Sequence, residues 1–137
     1  MLAVRLSATL KQTTKNTKRI NNLRKMKIAI IGGGIGGLTT ALALKQNGQE
    51  VTVYESATEI KPVGAGIVMA NNAMQVFDKL GIRKKIESAG YKISNIKITD
   101  TQLNTISAGD LTKFENKYGV YNVAIHRADL QKILVDE

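Results

Sequence analysis

Residues 27–55 read KIAIIGGGIGGLTTALALKQNGQEVTVYE, and the order of residue types in that stretch decides the fold. The apolar run Ile28-Ala29-Ile30-Ile31 has the length and β-branched content of a buried strand. It enters a glycine-dense turn in which Gly32, Gly34 and Gly37 supply the spacing G-x-G-x-x-G. In that pattern the first glycine permits a tight turn, the second lets a pyrophosphate approach the backbone, and the third lets helix and strand pack closely. Ala41, four residues past Gly37, keeps the same helix face small. Unpaired N–H groups at the start of the helix, with the positive end of its dipole, make an anion site that needs no lysine.

A glycine fingerprint alone is weak evidence, so the flanking residues carry the decision. Gly48 reads as the end of the helix, and Val51, Val53 and Tyr54 give a short β-branched second strand. Glu55 follows at the end of that strand, where a carboxylate can accept hydrogen bonds from both ribose hydroxyls of an adenosine. The same acid repels a 2′-phosphate, which disfavours NADP at this site. The fold class implied is α/β, a Rossmann-like parallel sheet built on a β-turn-α-β-acid unit.

The bulk composition narrows the alternatives. A chain of 137 residues with 43% hydrophobic content and a single proline suits one packed domain of ordinary size. No cysteine and one histidine leave no disulfide framework, no thiolate metal site and no multi-histidine metal centre. No apolar run reaches the roughly 18 residues of a membrane span. The formal charge of +9 is uneven. Residues 1–25 hold seven of the 20 basic residues and none of the 11 acids, so residues 26–137 carry 13 basic and 11 acidic groups, a formal +2. The basic excess belongs to a tail without interleaved aromatics for base stacking, which argues against nucleic-acid binding.

That tail, rich in Ser, Thr, Asn and Lys, reads either as an upstream extension or as an organellar transit peptide. Met26 stands where the dinucleotide fold begins, so the expected setting is cytoplasmic, or organellar if the tail directs import. Holding neither fingerprint nor core periodicity, residues 1–25 are expected to be dispensable for cofactor binding. After Glu55 comes a loop, Ser56 to Ile67, with Pro62 and the close pair Gly64 and Gly66. Asn71 or Asn72 can cap a helix carrying Met74, Val76, Phe77 and Leu80, stopped by Gly81, and a short second helix spans Ile82 to Ser88. Lys92 to Thr99 reads as one strand, turning at Thr101 to Asn104 and returning through Thr105-Ile106. Tyr118 to Ile125 reads as extended, and Ala128 to Leu134 as the start of an amphipathic helix.

From Met26 onward the sequence resembles the FAD-dependent aromatic-ring monooxygenases, the flavoprotein hydroxylases of the p-hydroxybenzoate, salicylate and urate hydroxylase type. Three blocks carry the resemblance: the fingerprint through Glu55; Lys61-Pro62-Val63-Gly64-Ala65-Gly66-Ile67 with Asn71-Asn72-Ala73 and Leu80-Gly81; and His126-Arg127-Ala128-Asp129-Leu130. The resemblance implies that Gly32, Gly34, Gly36 and Gly37 hold the FAD pyrophosphate. It implies Glu55 and Ser56 at the adenosine ribose, Val68 in the loop beside the flavin, and Arg127 reaching FAD oxygens with its guanidinium. His126 reads as a cap or surface residue. The implied reaction is NADH- or NADPH-driven hydroxylation of a small aromatic substrate by O2. Family members are much longer, so residues 26–137 are expected to form the amino-terminal part of the FAD domain and the start of a mixed-sheet substrate domain, with the catalytic groups beyond Glu137. The other readings are a different FAD or NAD oxidoreductase, a non-catalytic dinucleotide-binding remnant, or a basic-tailed interaction protein.

Overall fold

The computed structural model describes residues 2–5, 26–58 and 65–137, which fall into two compact units, one ending at Ile60 and the other running from Lys61 to Asp136. In the first unit, β1 (Leu2–Arg5), β2 (Lys27–Ile31), α1 (Ile35–Gln46) and β3 (Glu50–Glu55) make a three-stranded sheet in the order β1-β3-β2 with one helix. β2 and β3 are parallel, with Ile28 opposite Val51 and Ile30 opposite Val53. A parallel pair needs a crossover, and α1 supplies it. Helix and strands bury Ala41, Val51 and Val53 together, with Ile28, Ile30 and Leu44 packed around them. Because strand side chains alternate faces, Ala29 and Ile31 fall on the opposite side of β2, where Ile31 is 82% exposed. That side of the strand is open to solvent.

β1 comes from the basic tail. It pairs antiparallel with β3, Leu2 opposite Glu55 and Arg5 opposite Thr52, and so covers a row of backbone groups that an edge strand would otherwise present unpaired. The strand pairing of these four residues went unforeseen in the sequence, where the tail's apolar residues form no sustained helical stripe. Residue 1 and residues 6–25, the bulk of the tail, lie outside the described residues. Deleting residues 1–25 should therefore speed amide hydrogen exchange along the outer edge of β3, from Thr52 to Tyr54, while leaving the β2–α1–β3 unit folded. Exchange mass spectrometry with fragment-level resolution checks this, and unchanged protection in the deleted chain would remove β1 from the sheet.

The second unit is built on a second sheet, ordered β4-β8-β5, from β4 (Gly66–Met69), β5 (Tyr91–Ile93) and β8 (Asn122–His126), with β8 antiparallel to both neighbours. Helices α2 (Asn71–Lys79), α3 (Arg83–Ala89) and α5 (Arg127–Val135) pack on β8. Their buried residues Met74 and Phe77, Ile86, and Leu130 and Leu134 recur at helical spacing and close over Val123 and Ile125. A separate hairpin, β6 (Asn95–Thr99) with β7 (Thr105–Asp110), is followed by α4 (Thr112–Tyr118). Among the described residues, no helix is long and apolar enough to cross a membrane.

Several local expectations change here. The single strand over Lys92 to Thr99 is two strands broken at Ser94, one joined to β8 and the other to β7. Tyr118 closes α4 instead of opening a strand, and Gly119 ends that helix in the left-handed conformation (φ 67°). Neither asparagine caps α2. Its N-cap is Ala70, and the Asn71 N–H is satisfied by the side-chain oxygen of buried Asn122, at 2.7 Å from β8.

Candidate dinucleotide-binding site

The turn between β2 and α1 shows why each glycine of the fingerprint is a glycine. Gly32 adopts φ +104°, which side-chain-bearing residues rarely reach, and its N–H donates to the Tyr54 carbonyl at 2.7 Å. A Cβ on Gly37 would overlap the Gly32 carbonyl oxygen and press on Ile30, so the third glycine allows the first turn of α1 to lie directly against the strand end. A Cβ on Gly34 would meet no atom of the described residues within 4 Å. Space is left open there, at the N-cap of α1.

α1 begins at Ile35, and its first helical hydrogen bond runs from the Leu38 N–H to the Gly34 carbonyl at 2.9 Å. The N–H groups of Ile35, Gly36 and Gly37 therefore have no acceptor within the helix, and no acidic side chain occupies the first turn. Gly36 is exposed and Gly34 half-buried, so this end of the helix is reachable from solvent. Unpaired donors at the positive end of a helix dipole are suited to an anion.

Glu55 closes the arrangement. One carboxylate oxygen, Oε2, accepts the Gly33 N–H at 2.6 Å; the other, Oε1, accepts the Ala57 N–H at 2.9 Å and the Ser56 hydroxyl at 3.1 Å. The bond from Ala57, then that from Gly33, then the Ser56 hydroxyl hold the carboxyl below its ordinary pKa, because all three favour the ionised form. The acid at the end of the second strand is thus ionised at neutral pH and beside the glycine turn. Gly32, Gly34, Gly36, Gly37, Glu55 and Ser56 all lie in the turn, the first turn of α1 and the end of β3. The contact between Gly33 and Glu55 was not read from the sequence, where Gly33 counts only as the variable position between two fingerprint glycines.

The remaining two candidates lie in the second unit. Val68 is in β4, opposite Ala124 of β8 and 56% exposed, so it belongs to a paired strand and not to a loop. Ladder bonds to β8 start at Gly66 and impose the strand; residues 59–64 of the expected loop, including Pro62 and Gly64, lie outside the described residues. Arg127 is the first residue of α5, exposed, with His126 as an N-cap that makes no side-chain cap bond. Its guanidinium pairs with no acid among the described residues, although the helix terminus it occupies repels a cation.

A strand, a three-glycine turn, a helix with free N-terminal donors and an acid-terminated parallel strand define a dinucleotide-binding unit of the Rossmann-like class. The chain belongs to the FAD binding domain family, which matches it over residues 25–137. It is 37% identical over 109 residues to the aurachin C monooxygenase/isomerase of Stigmatella aurantiaca, covering 80% of this chain and 28% of that protein. It is 35% identical over 116 residues to the FAD-dependent urate hydroxylase of Klebsiella pneumoniae, covering 81% and 29%. The crystal structure of Klebsiella pneumoniae HpxO complexed with FAD and uric acid superposes with a TM-score of 0.71 at 28% identity, over 89% of this chain and 30% of that one. The chain thus spans less than a third of the length of the relatives it matches.

Proposed function

We propose that this chain holds the adenosine and pyrophosphate end of FAD for a flavin-dependent monooxygenase that hydroxylates an aromatic or heteroaromatic small molecule with NADH or NADPH and O2. The observation that carries the reading is the cradle itself: open space at Gly34, free N–H groups from Ile35 to Gly37, and an ionised Glu55 at the strand end. Those features fit an anionic diphosphate flanked by a ribose. The pyrophosphate would take the helix N–H groups, and the ribose hydroxyls would donate to Glu55, with Ser56 beside it. Exposed Arg127, whose guanidinium suits phosphate or ribityl oxygens, and exposed Val68 are the further cofactor-binding candidates. Bound FAD, once reduced by the nicotinamide, supplies the oxygen-activating chemistry. The chain's own work is to bind, orient and shield.

Urate hydroxylase, 3-hydroxybenzoate 6-hydroxylase and the aurachin C enzyme, all relatives of this chain, favour an electron-rich ring as the substrate class. The absence of cysteine is compatible with a cytoplasmic setting. A replacement experiment tests the assignment. Residues 26–137 are substituted for the matched segment of the Klebsiella pneumoniae urate hydroxylase, and FAD content and hydroxylated product are measured with NADH or NADPH. The chimera should purify yellow and form product, whereas the 137-residue chain alone should bind FAD weakly and form none. A folded but colourless chimera would sink the FAD reading. One that binds FAD and releases only hydrogen peroxide would point to an oxidase.

A further inference from the structure

The bond between Glu55 and Gly33 ties the glycine turn to the end of the second strand. Gly33 is buried, and its N–H donates to Glu55 Oε2 at 2.6 Å, a short charge-assisted contact. A Cβ built on Gly33 would stand 3.2 Å from that oxygen and 3.3 Å from the Glu55 Cβ, so the acid's side chain lies across the turn along its whole length. The neighbouring Gly32 N–H is fixed by Tyr54, the residue before Glu55. The first two peptides of the turn are therefore anchored to the last two residues of β3, and the peptides that follow, Gly34 to Gly37, start from that anchor.

From this geometry we infer that Glu55 is a positioning residue for the pyrophosphate end of the cradle, in addition to its place at the ribose end. The inference rests on the dinucleotide reading. It differs from a ribose-only role in one respect that can be measured: a ligand without ribose hydroxyls should still depend on Glu55. Removing the acid also removes a negative charge near the diphosphate, which by itself would tighten anion binding. A loss of affinity therefore has to come from the turn.

The test uses the full 137-residue chain, with ADP and 2′,3′-dideoxy-ADP as probes, titrated against wild type, Glu55→Ala, Glu55→Asp and Glu55→Gln, each checked for folding by circular dichroism. Amide exchange at Gly33 is followed by NMR without ligand. The dideoxy nucleotide should bind roughly 3- to 10-fold more weakly to Glu55→Ala and to Glu55→Asp, whose arm is one methylene short. Glu55→Gln, which keeps an acceptor of the same reach, should recover part of the loss. The Gly33 amide should exchange faster in the alanine variant. Dideoxy-ADP binding that is unchanged or tighter in both Glu55→Ala and Glu55→Asp overturns the positioning role, and the ribose role survives if ADP alone is weakened. An unchanged Gly33 amide removes the contact itself. A wild-type chain that binds neither nucleotide brings down the cradle reading and this inference with it.

Discussion

Replacing Gly34 with valine in the urate hydroxylase chimera should leave the β2–α1–β3 unit folded and weaken FAD binding on the order of 100-fold. The two halves of that statement have separate physical grounds. Gly34 sits at the N-cap with φ −72° and ψ 176°, a conformation open to every residue and favourable for a β-branched one. Among the described residues no atom lies within 4 Å of the position its Cβ would take, so they have nothing to rearrange. A phosphate group, however, has to approach the N–H groups of Ile35 and Gly36 across that same open space. An isopropyl group there excludes it and forfeits charge-assisted hydrogen bonds, each of which contributes about 1.5–3 kcal/mol. Flavin fluorescence titration measures the affinity, and circular dichroism the fold. Gly34→Ala, which fills less of the space, should fall between wild type and valine. If the valine variant folds and retains FAD at wild-type affinity, the pyrophosphate does not lie at this helix end.

The separation of fold from binding at Gly34 bears on what the sequence could reveal. Strand, turn, helix, strand and acid were legible because each is a local pattern: four apolar residues, three glycines at fixed spacing, and β-branched residues ending in Glu55. The helices carrying Met74 and Phe77, Ile86, and Leu130 and Leu134 were legible for the same reason. What escaped was set by partners far away in the chain. The N-terminal N–H of α2 is satisfied by Asn122, 51 positions on, a contact no window around Asn71 contains. The pairing of Leu2–Arg5 with β3 spans the whole tail. Gly33 is committed to an acid 22 residues later. Two misses did leave a local signal. The apolar alternation slips phase between Ile93 and Ile96, which marks the break at Ser94, and Gly119 is a left-handed stop after the largely polar turns of α4.

Two adjacent glycines should respond in opposite directions to the same change. Gly37→Ala should destabilise the chain by about 3 kcal/mol, because the added methyl would overlap a backbone carbonyl oxygen that cannot rotate away as a side chain does. The Gly32 carbonyl shares its peptide with the Gly33 N–H, which Glu55 holds, and it follows a residue fixed at φ +104°. Relief therefore requires the first turn of α1 to lift from β2, which loosens the packing of Ala41 against Val51 and Val53. For a chain of this size, a loss of that magnitude lowers the unfolding midpoint by roughly 10 °C. Gly36, one residue earlier, is exposed and has nothing within 4 Å of its Cβ position. Alanine there removes backbone entropy from the unfolded chain and has better helix propensity, so Gly36→Ala should be neutral or stabilising by up to about 0.5 kcal/mol. Thermal denaturation of both variants without cofactor, followed at 222 nm, makes the comparison independent of ligand binding. Equal midpoints would mean that the helix does not approach the strand end as closely as the turn geometry requires. A Gly36→Ala loss as large as that of Gly37→Ala would instead show that the turn needs glycine for its backbone conformation at both positions.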